Sequence, residues 1–276
     1  MAMIGERADL RVTREQPFGI FLDGGDLGEI LLPRREMPLK WAHGEHINVF
    51  LYRDSEDRPV ATLKEPKVMP GQFAYLEVLQ ITGVGAFLDW GLPKDLLVPF
   101  REQKDRLEVG KSYVVHCHMD EETGRIVASR RLSRYLDQTK PPYRENDEVD
   151  LLLYGKTELG YKAIVDGRHT GLLFANQVFR RLRAGERTKG YVTLVRPDGK
   201  IDLSLEPGGR DRIDDLQTRI LDELKARGGW WDLHDNLPAA DIHKALGVSK
   251  RAFKEAIGSL FKERRIRIDP TGLQLL

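Results

Sequence analysis

Aromatic rings and cations sit side by side at intervals along this chain: Phe87 and Trp90, Phe100 and Arg101, Tyr161 and Lys162, Arg168 and His169, then Phe174. A flat ring gives an unstacked base a face to lie on, and a cation beside it can hold the backbone phosphate. A second cluster is almost purely cationic. Lys250, Arg251, Lys254, Lys262, Arg264, Arg265 and Arg267 are offset only by Glu255 and Glu263, a balance of +5 over residues 250–267. Both patterns suit a sugar-phosphate backbone. Both also have a plainer explanation. A ring on a small β-domain serves the core as readily as a platform, and a basic helix face is often only solvated.

Covalent and metal chemistry find less support. His116-Cys117-His118 sets a thiol between two imidazoles, but on a strand the histidines point one way and Cys117 the other. Three converging ligands are not supplied, and a buried cysteine is the simpler expectation. There is no phosphate-cradling loop and no paired-cysteine zinc spacing. The carboxylates of Asp54-Ser55-Glu56-Asp57 and Asp120-Glu121-Glu122 fall in predicted hairpin turns. The sequence therefore predicts a binding protein rather than an enzyme, with no catalytic residue, no metal site and no cofactor.

The elements that must position these residues repeat. Gly19, Gly85 and Gly160 are each followed 25 positions later by a second glycine: Gly44, Gly110 and Gly185. A third landmark comes 13 or 14 residues further on, at Asp57-Arg58-Pro59, Gly124-Arg125-Ile126 and Gly199-Lys200-Ile201. Within a repeat the period is two: Leu76, Val78 and Gln80 alternate with Glu77, Leu79 and Ile81. Each copy has room for about five short strands, too few for a sandwich but right for a small closed barrel without free edges. The sequence predicts barrels over 1–65, 66–137 and 148–207, with a Pro-rich linker over 138–147. The arginines around that linker (Arg130, Arg131, Arg134, Arg144) either extend a basic track or are simply solvated.

After Pro207-Gly208-Gly209 the apolar period becomes helical, with Ile213, Leu216, Ile220, Leu221 and Leu224 on one stripe and Gly228-Gly229 as the stop. Pro238 opens a second helix, and Ser249 caps a third that buries Phe253, Ala256, Ile257 and Leu260. Two short strands, Ile266–Ile268 and Leu273–Leu275, close the chain. Helix, helix–turn–helix and β-hairpin make a winged helix over 210–276. Lys250, Arg251 and Lys254 then occupy the end of the third helix where a recognition helix meets nucleic acid. Winged helices also serve as protein-interaction modules. Trp230-Trp231 reads as a packing anchor.

Composition sets the bounds. A chain of 276 residues, 41% hydrophobic and 32% charged, suits several small modules. No apolar run approaches the ~18 residues of a membrane helix, and Met1 to Arg11 lacks the apolar stretch of a secretory signal. A single cysteine fits a reducing compartment, so the expected location is cytoplasmic. Net charge is only +1, but it is unevenly spread: −3 over 1–65, −1 over 66–148, +3 over 149–208 and +2 over 209–276. On charge alone the first copy is the poorest candidate for phosphate.

The stretch Ile81-Thr82-Gly83-Val84-Gly85-Ala86-Phe87-Leu88-Asp89, followed by Asp95 to Phe100, Val109-Gly110-Lys111 and Gly124-Arg125-Ile126, resembles the S1 RNA-binding domain, a five-stranded OB-fold. The third copy is similar, while the first keeps Gly28 to Pro33 but loses the glycine before the last strand. Three such barrels and a winged helix across essentially the whole chain, with Gly160-Tyr161-Lys162 and Gly247 to Gly258, resemble the bacterial conserved virulence factor B (CvfB) family. The resemblance implies a multidomain, mainly β protein that binds single-stranded RNA and affects expression of virulence or stress genes. The sequence favours the third barrel and the winged helix as the principal surface, the second barrel assisting. A DNA-binding regulator and a ribosome- or protein-associated adaptor working through the first barrel are the rival readings. A monomer or weak dimer is expected, with no membrane association.

Overall fold

The computed structural model describes residues 2–178, 180–207 and 210–276, with residues 210–212 described as helix backbone only. The chain divides into two compact units, Met1–Leu136 and Asp137–Leu276. The Gly208-Gly209 junction lies outside the described residues.

In the first unit, β1 (Arg7–Gln16), β2 (Gly19–Asp23), β3 (Glu29–Pro33), β4 (His46–Arg53) and β5 (Pro59–Thr62) close into a barrel of order β1-β2-β3-β5-β4. Next come β6 (Phe73–Ile81), β7 (Gly85–Leu88), β8 (Leu96–Pro99), β9 (Ser112–Asp120) and β10 (Arg125–Ser129), in the equivalent order β10-β9-β6-β7-β8. The second unit begins with β11 (Glu148–Lys156), β12 (Gly160–Val165), β13 (His169–Phe174), β14 (Arg187–Val195) and β15 (Ile201–Ser204), again a closed barrel. Five strands per copy are thus as the repeat predicts, and all three copies share one strand order. The second sheet differs in one respect, having no ladder between β8 and β10 among the described residues. The third strands differ in length in the same order. Six-residue β13 forms three parallel pairs with β15, five-residue β3 forms one with β5, and four-residue β8 forms none.

The conserved glycine interval has a direct cause. In each copy the first strand bulges, at Val12/Arg14, Val78/Gln80 and Leu153/Gly155. The bulge residue's carbonyl accepts the amide of the second glycine: Gly44 to Val12 at 3.0 Å, Gly110 to Val78 at 2.9 Å and Gly185 to Leu153 at 2.7 Å. Those glycines have φ of 82°, 78° and 83°, a left-handed turn that side chains resist. At the first glycine the constraint is space. A Cβ on Gly19, Gly85 or Gly160 would fall on the carbonyl oxygen of Leu32, Val98 or Leu173 across the ladder. The degenerate third landmark of the first copy is also explained, because Asp57 takes the left-handed turn (φ 68°) that Gly124 and Gly199 take in the others.

The barrels of the first unit share apolar packing. Phe50 of β4 lies edge-on to Trp90, 6.1 Å between ring centres, and both are buried with Leu88, Leu96 and Cys117. Arg130 stacks over Tyr113, the Arg131 guanidinium donates to the Arg101 carbonyl, and Arg134 pairs with Glu102. These arginines are therefore tied to the second barrel and do not form an open basic track.

The C-terminal module has α1 (Arg210–Ala226), β16 (Trp230–Trp231), α2 (Ala239–Leu246), α3 (Lys250–Lys262), β17 (Ile266–Asp269) and β18 (Gly272–Leu275). Gly247 ends α2 with φ 72°, and the Ser249 hydroxyl accepts the Ala252 amide at 3.3 Å to cap α3. Phe253, Ala256, Ile257 and Leu260 bury one face of α3 against Leu216, Ile220 and Leu224 of α1. The strands form a sheet of order β16-β18-β17.

Candidate nucleic-acid interface

Because side chains alternate along a strand, register decides which residues share a face. On the outer face of each five-stranded sheet, one residue from each of three strands lines up. In the first copy the row is Arg14, Phe21 and Leu31; in the second, Gln80, Phe87 and Leu97; in the third, Gly155, Lys162 and Leu172. The equivalence follows from the repeat, since Phe21, Phe87 and Lys162 each lie two residues after the first conserved glycine.

The rows differ in chemistry. In the first copy the Arg14 guanidinium lies 3.9 Å over the Phe21 ring and 2.9 Å from the Glu29 carboxylate, with exposed Phe18 edge-on to Phe21 at 6.0 Å. Hydrogen bonds from Arg14 and Thr13 hold the Glu29 carboxyl below its usual pKa. This is a ring–cation stack, its charge matched by Glu29, in the copy that charge counting ranked last. The signal was present in the repeat, because Phe21 and Phe87 hold the same offset. In the second copy Phe87 is half-buried, while Phe100 and Val84 are exposed. Arg101 there holds Asp120 at 2.7 Å and Glu122 at 2.8 Å, so its charge is already matched.

Trp90 requires correction as a stacking residue. Only 3% exposed, it is a core ring whose indole N–H donates to the Lys94 carbonyl. His169 is likewise buried, against Tyr143 at 5.5 Å between ring centres, and is corrected to a packing role. Tyr161 and Lys162, adjacent in sequence, point to opposite faces. Tyr161 packs against the third core with the Lys156 amine 5.5 Å from its ring, while Lys162 is exposed, with no ion-pair partner among the described residues. Arg168 lies 3.8 Å from Asp137. Phe174 lies 5.8 Å from the Arg196 guanidinium, itself held by Asp202 at 2.9 Å.

On the winged helix, Lys250 is half-buried, its amine donating to the Leu237 carbonyl at 2.8 Å. Lys254 pairs with Asp235 at 3.2 Å and Arg267 with Asp269 at 3.0 Å. Arg251, Lys262, Arg264 and Arg265 are exposed and carry no ion pair among the described residues. Sequence reasoning passed over Phe261, whose ring is 53% exposed beside Lys262 at the C-terminal end of α3. It also read Trp230 and Trp231 as one anchor, although only Trp231 is buried.

Among the described residues no cluster of His, Cys, Asp and Glu could hold a metal ion, and no helix is long and apolar enough to cross a membrane. His116, His118 and Tyr135 form a stacked cluster. The His116 and Tyr135 rings are 4.0 Å apart, and the Tyr135 hydroxyl lies 3.0 Å from His118 Nε2. Burial and the neighbouring His118 push the His116 pKa down to about 4, and burial lifts Cys117 to about 12. A neutral imidazole and a protonated, buried thiol are packing groups.

Residues 4–64 match the S1 domain, and residues 218–275 match the CvfB-like winged helix domain. YitL of Bacillus subtilis (strain 168) is 28% identical over 269 residues, covering 95% of this chain and 90% of that protein. Conserved virulence factor B of Staphylococcus aureus (strain N315) is 23% identical over 239 residues, covering 84% of this chain and 80% of that protein. A crystal structure of a multidomain protein with nucleic acid binding domains from Streptococcus pneumoniae TIGR4 aligns over 99% of this chain and 98% of its own, at 22% identity and TM-score 0.43.

Proposed function

We propose that this chain is a member of the conserved virulence factor B family, to which it is similar over most of its length, and that it is a non-catalytic, cytoplasmic binder of single-stranded RNA acting in post-transcriptional control of gene expression. The observation that carries the proposal is the outer-face row. The same register on successive five-stranded sheets presents Phe21 under Arg14, then Phe87, then Lys162. Rings of this kind accept any base by stacking, and the cations follow the backbone, so affinity is sequence-tolerant and falls with salt. The ring contribution is assigned to the first two copies. The cationic contribution comes from the third copy (Lys162) and the winged helix (Arg251, Arg264, Arg265). The module limits 1–65, 66–137, 148–207 and 210–276 belong to the same reading.

A DNA-reading winged helix is less favoured, because two of the three cations at the start of α3 are already engaged, Lys250 by a carbonyl and Lys254 by Asp235. A competition experiment decides between them. Labelled single-stranded RNA bound at moderate salt should resist an equal concentration of duplex DNA; efficient displacement by the duplex would overturn the RNA reading.

A further inference from the structure

The two adjacent tryptophans of β16 have opposite fates. Trp231 pairs across the sheet with Leu273, which pairs in turn with Ile268; this row faces inward, where α1 and α3 cover it. Trp230 pairs with Gln274, and Gln274 with Arg267, so these three share the opposite, outer face. Trp230 is 42% exposed on that face. Neither its indole N–H nor the Gln274 amide has a hydrogen-bond partner among the described residues.

The ring lies low against the sheet. A Cβ on Gly272 would fall 2.6 Å from Trp230 Cζ2 and against the Trp231 carbonyl, so only glycine at this position admits the indole. Arg267 completes the row, its guanidinium exposed despite the pair with Asp269, and the exposed, unpaired Arg264 and Arg265 lead into its strand.

We propose that the outer face of the wing sheet, Trp230–Gln274–Arg267, is a second base-binding platform for single-stranded RNA. A base stacks on the Trp230 indole, the Gln274 amide meets the base edge, and Arg267 with Arg265 holds the adjacent phosphates. The row is one ring, one amide and one cation on an open sheet. That combination matches a nucleotide, which has a π-face, polar edges and a negative charge. A protein helix would instead need an apolar stripe, and the two neighbours of Trp230 in the row are polar. The platform lies on the sheet, apart from the α3 N-terminus where a duplex-reading winged helix makes its contacts.

The proposal rests on the RNA-binding reading, and the test separates the two. Anisotropy of a labelled 16-nucleotide single-stranded RNA is measured with the full chain across a salt series, for wild type, Trp230→Phe, Trp230→Leu and Arg267→Ala, each checked for native circular dichroism. Trp230→Leu should weaken binding at least ~5-fold at every salt concentration without changing the salt slope, while Trp230→Phe stays within about 3-fold. Arg267→Ala should reduce the magnitude of the log–log salt slope by about 0.7. If wild type binds and Trp230→Leu binds equally well, the platform is wrong while the general reading stands. If wild type binds no single-stranded RNA, both fall. Should Trp230→Leu fail to fold, cross-linking of 4-thiouridine-substituted RNA to the wild-type chain decides: adducts on Trp230 or Gln274 support the platform, and adducts confined to other residues overturn it.

Discussion

Two rings three residues apart, Phe87 and Trp90, show how little the residue type says about its use. Phe87 is on the outer face and Trp90 is wedged against Phe50 between the two barrels of the first unit. Phe87→Ala should lower RNA affinity by about 1–3 kcal/mol, while changing the urea midpoint little. Trp90→Ala should do the reverse, costing roughly 3–5 kcal/mol of stability through the cavity it leaves, with the loss read from the same urea curves. His116 makes a pH prediction. Its folded pKa, about 4, lies below the ordinary histidine value of 6.5, so the unfolded chain binds the proton more readily. The stabilising effect of a neutral His116 is therefore complete above pH 6.5 and is lost as pH falls toward 4. Over that window the first unit should lose roughly 2–3 kcal/mol from this group. Thermal melts from pH 7 to pH 4 should show the slope, and His116→Phe, which keeps the stack on Tyr135, should flatten it.

At the scale of elements, the barrels depend on contacts that tolerate no added atom. Gly85→Ala places a Cβ on the Val98 carbonyl oxygen and must push β7 from β8. It should cost about 1–3 kcal/mol, seen as faster amide exchange across that pair. Ser249→Ala removes the cap on α3 and should cost about 1 kcal/mol in the winged helix, measurable in its urea transition. Much of this architecture was legible in the sequence, because the glycine interval is set by one hydrogen bond to a bulge, repeated three times. The missing ladder between the adjacent strands β8 and β10 was not legible, since no residue type marks it. The site was legible only in part. Tyr161 and Lys162 look like one ring-cation pair until the pleat sends them to opposite faces. Net charge obscured the Arg14–Phe21 stack, because a sum over residues 1–65 does not say which ring a given cation covers.

For the whole molecule, the cations proposed to follow the RNA backbone lie on separate modules, and their losses should combine simply. Lys162→Ala and the Arg264→Ala/Arg265→Ala pair remove charge at separate places, so each should lower the magnitude of the salt slope by about 0.7 per cation. Their effects on binding free energy should add to within about 0.5 kcal/mol. Titrations at several salt concentrations would expose any departure. The repeated hydrogen bond from bulge to glycine has a further consequence during synthesis. It joins Gly44 to Val12, Gly110 to Val78 and Gly185 to Leu153, so each closure is complete within 32 residues of chain. A barrel that draws all its strands from one short stretch can form as that stretch leaves the ribosome, ahead of the next copy. Neighbouring copies of one fold could otherwise exchange strands. Local closure sets the order of assembly, and each copy has already used its own strands when the following one emerges.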